Sequence, residues 1–181
     1  MIISLTGFMG CGKSSVAPIL AEKLSCFFFD MDDTIQMEEG RSIAEIFETD
    51  GESAFRIMEL DCLERIISDF DGFPTTMILS LGGGTVMTPQ CAELIRKKTF
   101  CVYLRASKDE LVSNLQISGT ENRPLLEGPL SNPAGTLQEK VESLLEQRAA
   151  TYEAVAHLTI DVDGLSYEET AEKIYENIPE D

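Results

Sequence analysis

Residues 7–15 read GFMGCGKSS, directly after the apolar run Ile2-Ile3-Ser4-Leu5-Thr6. Gly7, Gly10 and Gly12 carry no Cβ, so the backbone between them can take positive φ angles and turn its N–H groups toward one point. Such a ring of donors attracts an anion. The residues that follow, 14–24, place Val16, Ile19, Leu20 and Leu24 on one face of a helix, and its positive N-terminal end faces the same point. Gly7 to Ser14 satisfies G-x-x-x-x-G-K-[ST] at every fixed position, with the strand before and the helix after that the pattern requires. The stretch therefore reads as a phosphate-binding loop between the first strand and first helix of an α/β domain, in preference to a flexible turn that binds nothing.

The chain of 181 residues suits one domain, 1–181, with an ordinary core. Its 43% hydrophobic and 25% charged residues separate it from disordered and fibrous classes. No apolar stretch approaches the ~18 residues of a membrane span, and no basic segment followed by a long apolar one stands at the N-terminus. A cytoplasmic protein is expected. The cysteines 11, 26, 62, 91 and 101 are odd in number and lack a C-x-x-C pair, which argues for reduced, mostly buried thiols over a disulfide framework or zinc site. With 14 basic and 32 acidic residues the net charge is −18, which speaks against nucleic acid or an anionic membrane as partner. A monomer acting on a small molecule is the expectation. The same charge repels a polyanion, so each Lys or Arg near the loop carries extra information.

Short apolar runs at 2–6, 26–30, 77–81, 100–104 and 157–161, separated by helical segments, predict a parallel sheet covered on both faces. Ser42/Glu45, Ser107/Glu110, Thr136/Glu139 and Ser166/Glu169 have capping-box spacing, and Thr88-Pro89 gives a cap followed by proline. A long helix is predicted over 52–69, with Phe55, Met58, Cys62, Leu63, Ile66 and Ile67 inward. Residues 118–135, SGTENRPLLEGPLSNPAG, show no periodicity. A loop of this length within a compact domain, with Arg123 in otherwise acidic surroundings, reads as a lid of about residues 115–135 that closes over phosphate.

Three further constellations carry chemistry. In FFFDMDDT, Asp30 and Asp32 stand where the second strand ends, at the sheet edge where open α/β proteins bind ligands. One carboxylate can reach Mg²⁺ through water and the other can accept a proton from a substrate hydroxyl, whereas Asp33 reads as solvated. Leu81-Gly82-Gly83-Gly84-Thr85 follows the third strand and reads as a substrate floor, because glycines let a ligand approach the main chain. Arg148 continues the inward stripe Leu137, Val141, Leu144, Leu145 and Tyr152, and Arg56 lines up with Leu60, Leu63 and Ile67. Inward guanidinium groups need an anion, and a carboxylate matches their forked donors. His157, the only histidine, reads as structural.

In order along the chain, GFMGCGKSS, Phe29-Asp30-Met31-Asp32, Gly40-Arg41-Ser42-Ile43 with Ile46-Phe47, Gly51-Glu52 with Phe55-Arg56, Leu81-Gly82-Gly83-Gly84, Arg123-Pro124-Leu125-Leu126 and Arg148-x-x-x-Tyr152 resemble the shikimate kinases. The resemblance runs from about residue 3 to 161. It implies a three-layer P-loop kinase fold like that of the nucleoside monophosphate kinases, with five parallel strands in the order 2-3-1-4-5. It also implies ATP-dependent phosphorylation of the shikimate 3-hydroxyl on the way to chorismate and the aromatic amino acids. Gly10, Cys11, Gly12, Lys13, Ser14 and Ser15 would hold ATP, with Lys13 on the β- and γ-phosphates. Ser14 would ligate Mg²⁺ and Asp30 would act on it from behind water. Asp32 would bind the substrate hydroxyls as base or orienting group. Arg56, Arg148 and the backbone at Gly82 and Gly83 would hold shikimate, and Arg123 would neutralise the transferring phosphoryl. Many members place an adenine-stacking arginine seven residues before the lid arginine. Here that residue is Gln116. Another small-molecule kinase of this fold, such as a gluconate kinase, is the alternative. A GTP switch is disfavoured, because no N-K-x-D motif occurs.

Overall fold

The computed structural model describes residues 1–119, 124–127 and 135–179. Among them the elements follow in the order β1 (Ile2–Thr6), α1 (Lys13–Leu24), β2 (Phe27–Asp30), α2 (Met31–Glu39), α3 (Ile43–Thr49), α4 (Gly51–Phe70), β3 (Met77–Ser80), a 3-10 turn (Thr85–Met87), α5 (Pro89–Lys98), β4 (Phe100–Arg105), α6 (Lys108–Ser118), α7 (Pro124–Glu127), α8 (Leu137–Val155), β5 (Leu158–Asp161) and α9 (Tyr167–Tyr175). The five strands form one parallel sheet in the order β2-β3-β1-β4-β5. This is the predicted topology, and every strand lies within one residue of its predicted bounds.

Burial on both faces explains why β1 reads as a continuous apolar run: all five of its residues are buried, with β3 on one side and β4 on the other. Helices α1 and α9 pack on each other, while α5 packs against α4 and α8, forming the second helical layer. At the sheet's edge the expectation of cover on both faces fails. Phe27, Phe28 and Phe29 of β2 are 66%, 45% and 44% exposed, because β2 has only β3 as a neighbour. An apolar run shows that a segment suits a strand, not how many neighbours that strand will have.

The helix starts largely follow the capping pattern. Ser42, Thr136 and Ser166 form reciprocal boxes with Glu45, Glu139 and Glu169. Ser107 accepts from the Glu110 N–H, but its own N–H donates to Asp163 Oδ1 at 2.8 Å instead of to Glu110, tying α6 to the turn after β5. Thr88 makes no side-chain cap bond. His157 is structural, its Nδ1 accepting from the Cys101 N–H at 3.0 Å beside Phe100. All five thiols are free, and all but Cys26 are buried. No helix among the described residues is long and apolar enough to cross a membrane.

The phosphate loop leaves β1 at Gly7, whose φ is 145° and where an added Cβ would stand 2.7 Å from the Leu104 carbonyl oxygen. Gly7→Ala combines backbone strain with a backbone clash and should lower the unfolding free energy by about 2–5 kcal/mol. Urea denaturation checks this, and a loss below about 0.5 kcal/mol would contradict the close approach of β4.

Candidate active site

Three strand ends converge on the site. After β1 the chain turns through Gly12, which caps α1 with φ 95°, and Lys13 becomes the first helical residue. Its ammonium is nearly enclosed, donating to the carbonyls of Gly7 at 2.8 Å and Phe8 at 3.1 Å, with the buried Cys11 sulfur 3.8 Å away. The lysine thus rests inside its own loop, at the positive end of α1. Gly10, Gly12, Lys13, Ser14 and Ser15 line a cleft of about 340 Å³.

Asp30 ends β2 and caps α2, its Oδ1 accepting from the Asp32 N–H at 3.1 Å. Its Oδ2 accepts from Ser14 at 2.7 Å and from Ser80 at 3.0 Å, so one carboxylate ties β2 to α1 and β3. Asp32 lies in the first turn of α2. Its Oδ1 is shut off from solvent and has no hydrogen-bond partner among the described residues. Burial, reinforced by the negative charges of Asp30 and Glu59, pushes its carboxyl up to about 7 against the opposing pull of Lys13. Asp33 is exposed, as read.

The glycines after β3 are required by space rather than by φ. A Cβ on Gly82 would lie 2.8 Å from both Asp32 Oδ1 and Glu59 Oε1, and one on Gly84 would lie 2.6 Å from Arg56 Nη2. The side chains of the site therefore close directly on bare backbone. Glu59 is fully buried, accepting from the Thr85 hydroxyl at 2.6 Å and from Arg56. Arg56 also donates to Glu52 at 2.8 Å. The anion that this inward arginine needs is thus supplied in part by its own helix.

Arg148 differs. It is buried on α8 and donates to the Gly83 carbonyl at 3.3 Å, beside the Tyr152 hydroxyl on the same oxygen. Among the described residues it has no carboxylate partner. Arg56, Arg148, Glu59, Asp32 and Gly82–Gly84 line a second cleft of about 160 Å³, walled by Ile43, Phe47, Phe55 and Leu125. Asp32, Met9 and Gly83 belong to both clefts.

The structure therefore brings together Gly10, Gly12, Lys13, Ser14, Ser15, Asp32 and Gly83 around the first cleft, with Asp30 joined through Ser14, and Arg56, Gly82 and Arg148 around the second. Arg123 lies outside the described residues. Gln116 is exposed on α6. Sequence reading missed Ser80, the bond from Thr85 to Glu59 and, above all, Glu59 itself. The signal for Glu59 was present: it occupies the same helical stripe as Phe55, Cys62 and Leu63, three residues after an inward arginine.

A parallel sheet in this order, with a phosphate loop after β1 and two clefts meeting at one carboxylate, defines a P-loop kinase. The sequence profile described as shikimate kinase matches residues 9–179. The shikimate kinase of Chlorobaculum parvum is 39% identical over 98% of this chain and 94% of its own, and that of Thermus thermophilus 37% identical over 97% and 89%. Among solved structures, shikimate kinase from Acinetobacter baumannii in complex with shikimate aligns with a TM-score of 0.86 at 31% identity, covering 97% of this chain and 90% of that one. The chain belongs to the shikimate kinase family.

The raised pKa of Asp32 makes stability depend on pH. The folded protein keeps this proton up to about pH 7, whereas an unfolded aspartate releases it near 4. The folded state binds more protons in that window, so this contribution is fully present below about pH 4 and is lost as pH rises through 7. Asp32→Asn removes the penalty. Relative to wild type it should gain up to about 4 kcal/mol between pH 4 and pH 8; a difference in melting temperature that does not change with pH would contradict the buried, proton-holding state.

Proposed function

We propose that this protein transfers the γ-phosphoryl group of ATP to the 3-hydroxyl of shikimate, and that its site residues divide between the two clefts. The observation that carries the reading is Arg148, a buried guanidinium opening into the smaller cleft with no carboxylate partner among the described residues. A buried charge without a partner is costly. A ligand carboxylate removes that cost, and shikimate carries one on a ring of a size to fill the cleft. Arg148 and Arg56 take the carboxylate, and the Gly82 and Gly83 backbone holds the ring.

Asp32, at the junction of the clefts, receives the proton as the substrate oxygen attacks the γ-phosphorus and the bond to the ADP oxygen breaks. A carboxyl poised near neutrality suits that role. Lys13 exchanges the Gly7 and Phe8 carbonyls for the β- and γ-phosphates, while loop backbone from Gly10 to Ser15 cradles the chain of phosphates. Ser14 and Asp30, 2.7 Å apart, are hard oxygen donors of the kind Mg²⁺ accepts together with water and phosphate, Asp30 acting through water. Ser14 and, through water, Asp30 would hold such an ion, which would offset phosphate charge there. Arg123 is assigned to the transferring phosphoryl on its sequence position alone. A cytoplasmic monomer that engages neither nucleic acid nor membrane completes the reading.

ADP release measured with shikimate, gluconate and nucleoside monophosphates tests the function. Turnover is expected with shikimate, and turnover only with another acceptor would overturn it. Arg148→Lys should raise the shikimate KM about 10–100-fold with little change for ATP, because an ammonium lacks the forked donors. Equal losses for both substrates would make Arg148 structural. The kcat/KM for shikimate should rise with pH to a plateau through an apparent pKa near 7, since the base must be ionised in the free enzyme. Asp32→Asn should abolish that limb and lower kcat by about 10²–10⁴; an unchanged profile would remove Asp32 from proton transfer.

A further inference from the structure

The larger cleft carries two apolar side chains that the fold leaves in water. Tyr167, the first residue of α9, is 46% exposed, and Ile117, near the end of α6, is 84% exposed. Both line the cleft that contains Lys13 and Ser14. Neither is loosely attached to it. An added Cβ on Gly12 would meet Tyr167 Cε1 at 3.0 Å and Cδ1 at 3.3 Å, so the phenol ring rests against the bare backbone that starts α1. The Ser166–Glu169 capping box fixes the turn that presents the ring, and α9 packs along α1.

The Ile117 side is anchored independently. Asn114 Nδ2 donates to the Gly10 carbonyl at 3.0 Å, and Leu115 packs over Gly10. Two helices thus hold an aromatic and an aliphatic side chain beside the phosphate loop, where a nucleotide's base must lie once its phosphates occupy the loop. Gln116, between Leu115 and Ile117, contributes no cation to that end of the cleft.

We propose that Tyr167 is the stacking platform for the nucleotide base, with Ile117 as the apolar wall of the same slot, so that this chain holds the base through ring stacking instead of a guanidinium. The inference rests on the kinase reading above and deepens it. A π-face is common to all bases, and stacking on it reads no edge. The Asn114 Nδ2 donor beside the slot is already committed to the Gly10 carbonyl and the Glu110 carboxylate. The platform therefore accepts adenine and guanine alike, and ATP and GTP should bind with similar affinity.

The chain has four tyrosines and no tryptophan. Tyr103 and Tyr152 are buried against each other, and Tyr175 lies under Lys23, so quenching of tyrosine emission by a stacked purine reports on Tyr167. Calorimetric titration of wild type, Tyr167→Phe and Tyr167→Ala with ATP, GTP and inorganic tripolyphosphate gives the affinities, and tyrosine emission is followed in wild type. Wild type should be quenched by both nucleotides and not by tripolyphosphate. Tyr167→Phe should keep its ATP affinity within about twofold. Tyr167→Ala should lose about 5–150-fold for ATP and GTP alike while binding tripolyphosphate as wild type does, which also shows that the loop is folded. An alanine variant with undiminished ATP affinity overturns the platform. So does one that loses tripolyphosphate equally, since Tyr167 would then act only by packing on Gly12. A wild-type chain that is quenched by ATP yet does not phosphorylate shikimate supports the platform and overturns the choice of acceptor; one that binds tripolyphosphate as tightly as ATP overturns the platform whatever its turnover.

Discussion

A carboxylate with no solvent exposure must be matched by donors, and at Glu59 that requirement shapes the whole acceptor half of the site. Its two oxygens are taken by Thr85 and Arg56, which fixes the turn after β3 relative to the middle of α4. Because Glu59, Asp32 and Thr85 all close on the same backbone point, only glycine fits at 82. The paired Arg56 then lies over Gly84. Removing Glu59 would leave a half-buried guanidinium without one of its two partners and a cavity beneath the glycine turn. One buried acid thus couples an arginine, a 3-10 turn and the glycine triplet into one hydrogen-bonded, close-packed unit.

The same acid adds to a conflict of charge within the site. Asp30, Asp32 and Glu59 gather at the sheet edge of a chain whose net charge is −18, and the proposed substrates are anions. Three cations offset them locally. Lys13 sits in the phosphate loop on the Gly7 and Phe8 carbonyls and Arg56 in its two ion pairs, while Arg148 is held by the Gly83 carbonyl and the Tyr152 hydroxyl. Lys13 and Arg148 are the members of this set without a carboxylate ion pair among the described residues, and of these two only Arg148 lines the smaller cleft. Holding a buried guanidinium there costs stability, as does the burial that keeps a proton on Asp32.

Much of this was legible in the sequence, for physical reasons that differ by element. The phosphate loop is a local solution to a local problem, so its residues identify it without reference to the rest of the chain. Strands buried on both faces appear as apolar runs, and side-chain caps mark helix starts. Arg56 and Arg148 were legible because a charge on an apolar stripe is anomalous. Glu59 carried the same anomaly, but its meaning depends on Thr85 and Gly82, which only the folded turn brings near. The exposure of Phe27 to Phe29 depends on strand order, and the place of Tyr167 depends on α9 folding back onto Gly12. Glu110 illustrates a local rule overridden from afar: Asp163 takes the backbone donor that the capping pattern assigns to it.

Whether buried Arg148 waits for a ligand carboxylate is decided by comparing two substrates on two proteins. Phosphorylation of shikimate and of its carboxamide, in which a neutral amide replaces the carboxylate, is measured with wild type and with Arg148→Met. The account requires the carboxamide to lose about 100-fold or more in kcat/KM on wild type, and that ratio to shrink at least about tenfold on the variant, with Arg56 carrying the remainder. Equal use of both substrates by wild type, or a ratio unchanged by the substitution, would contradict it.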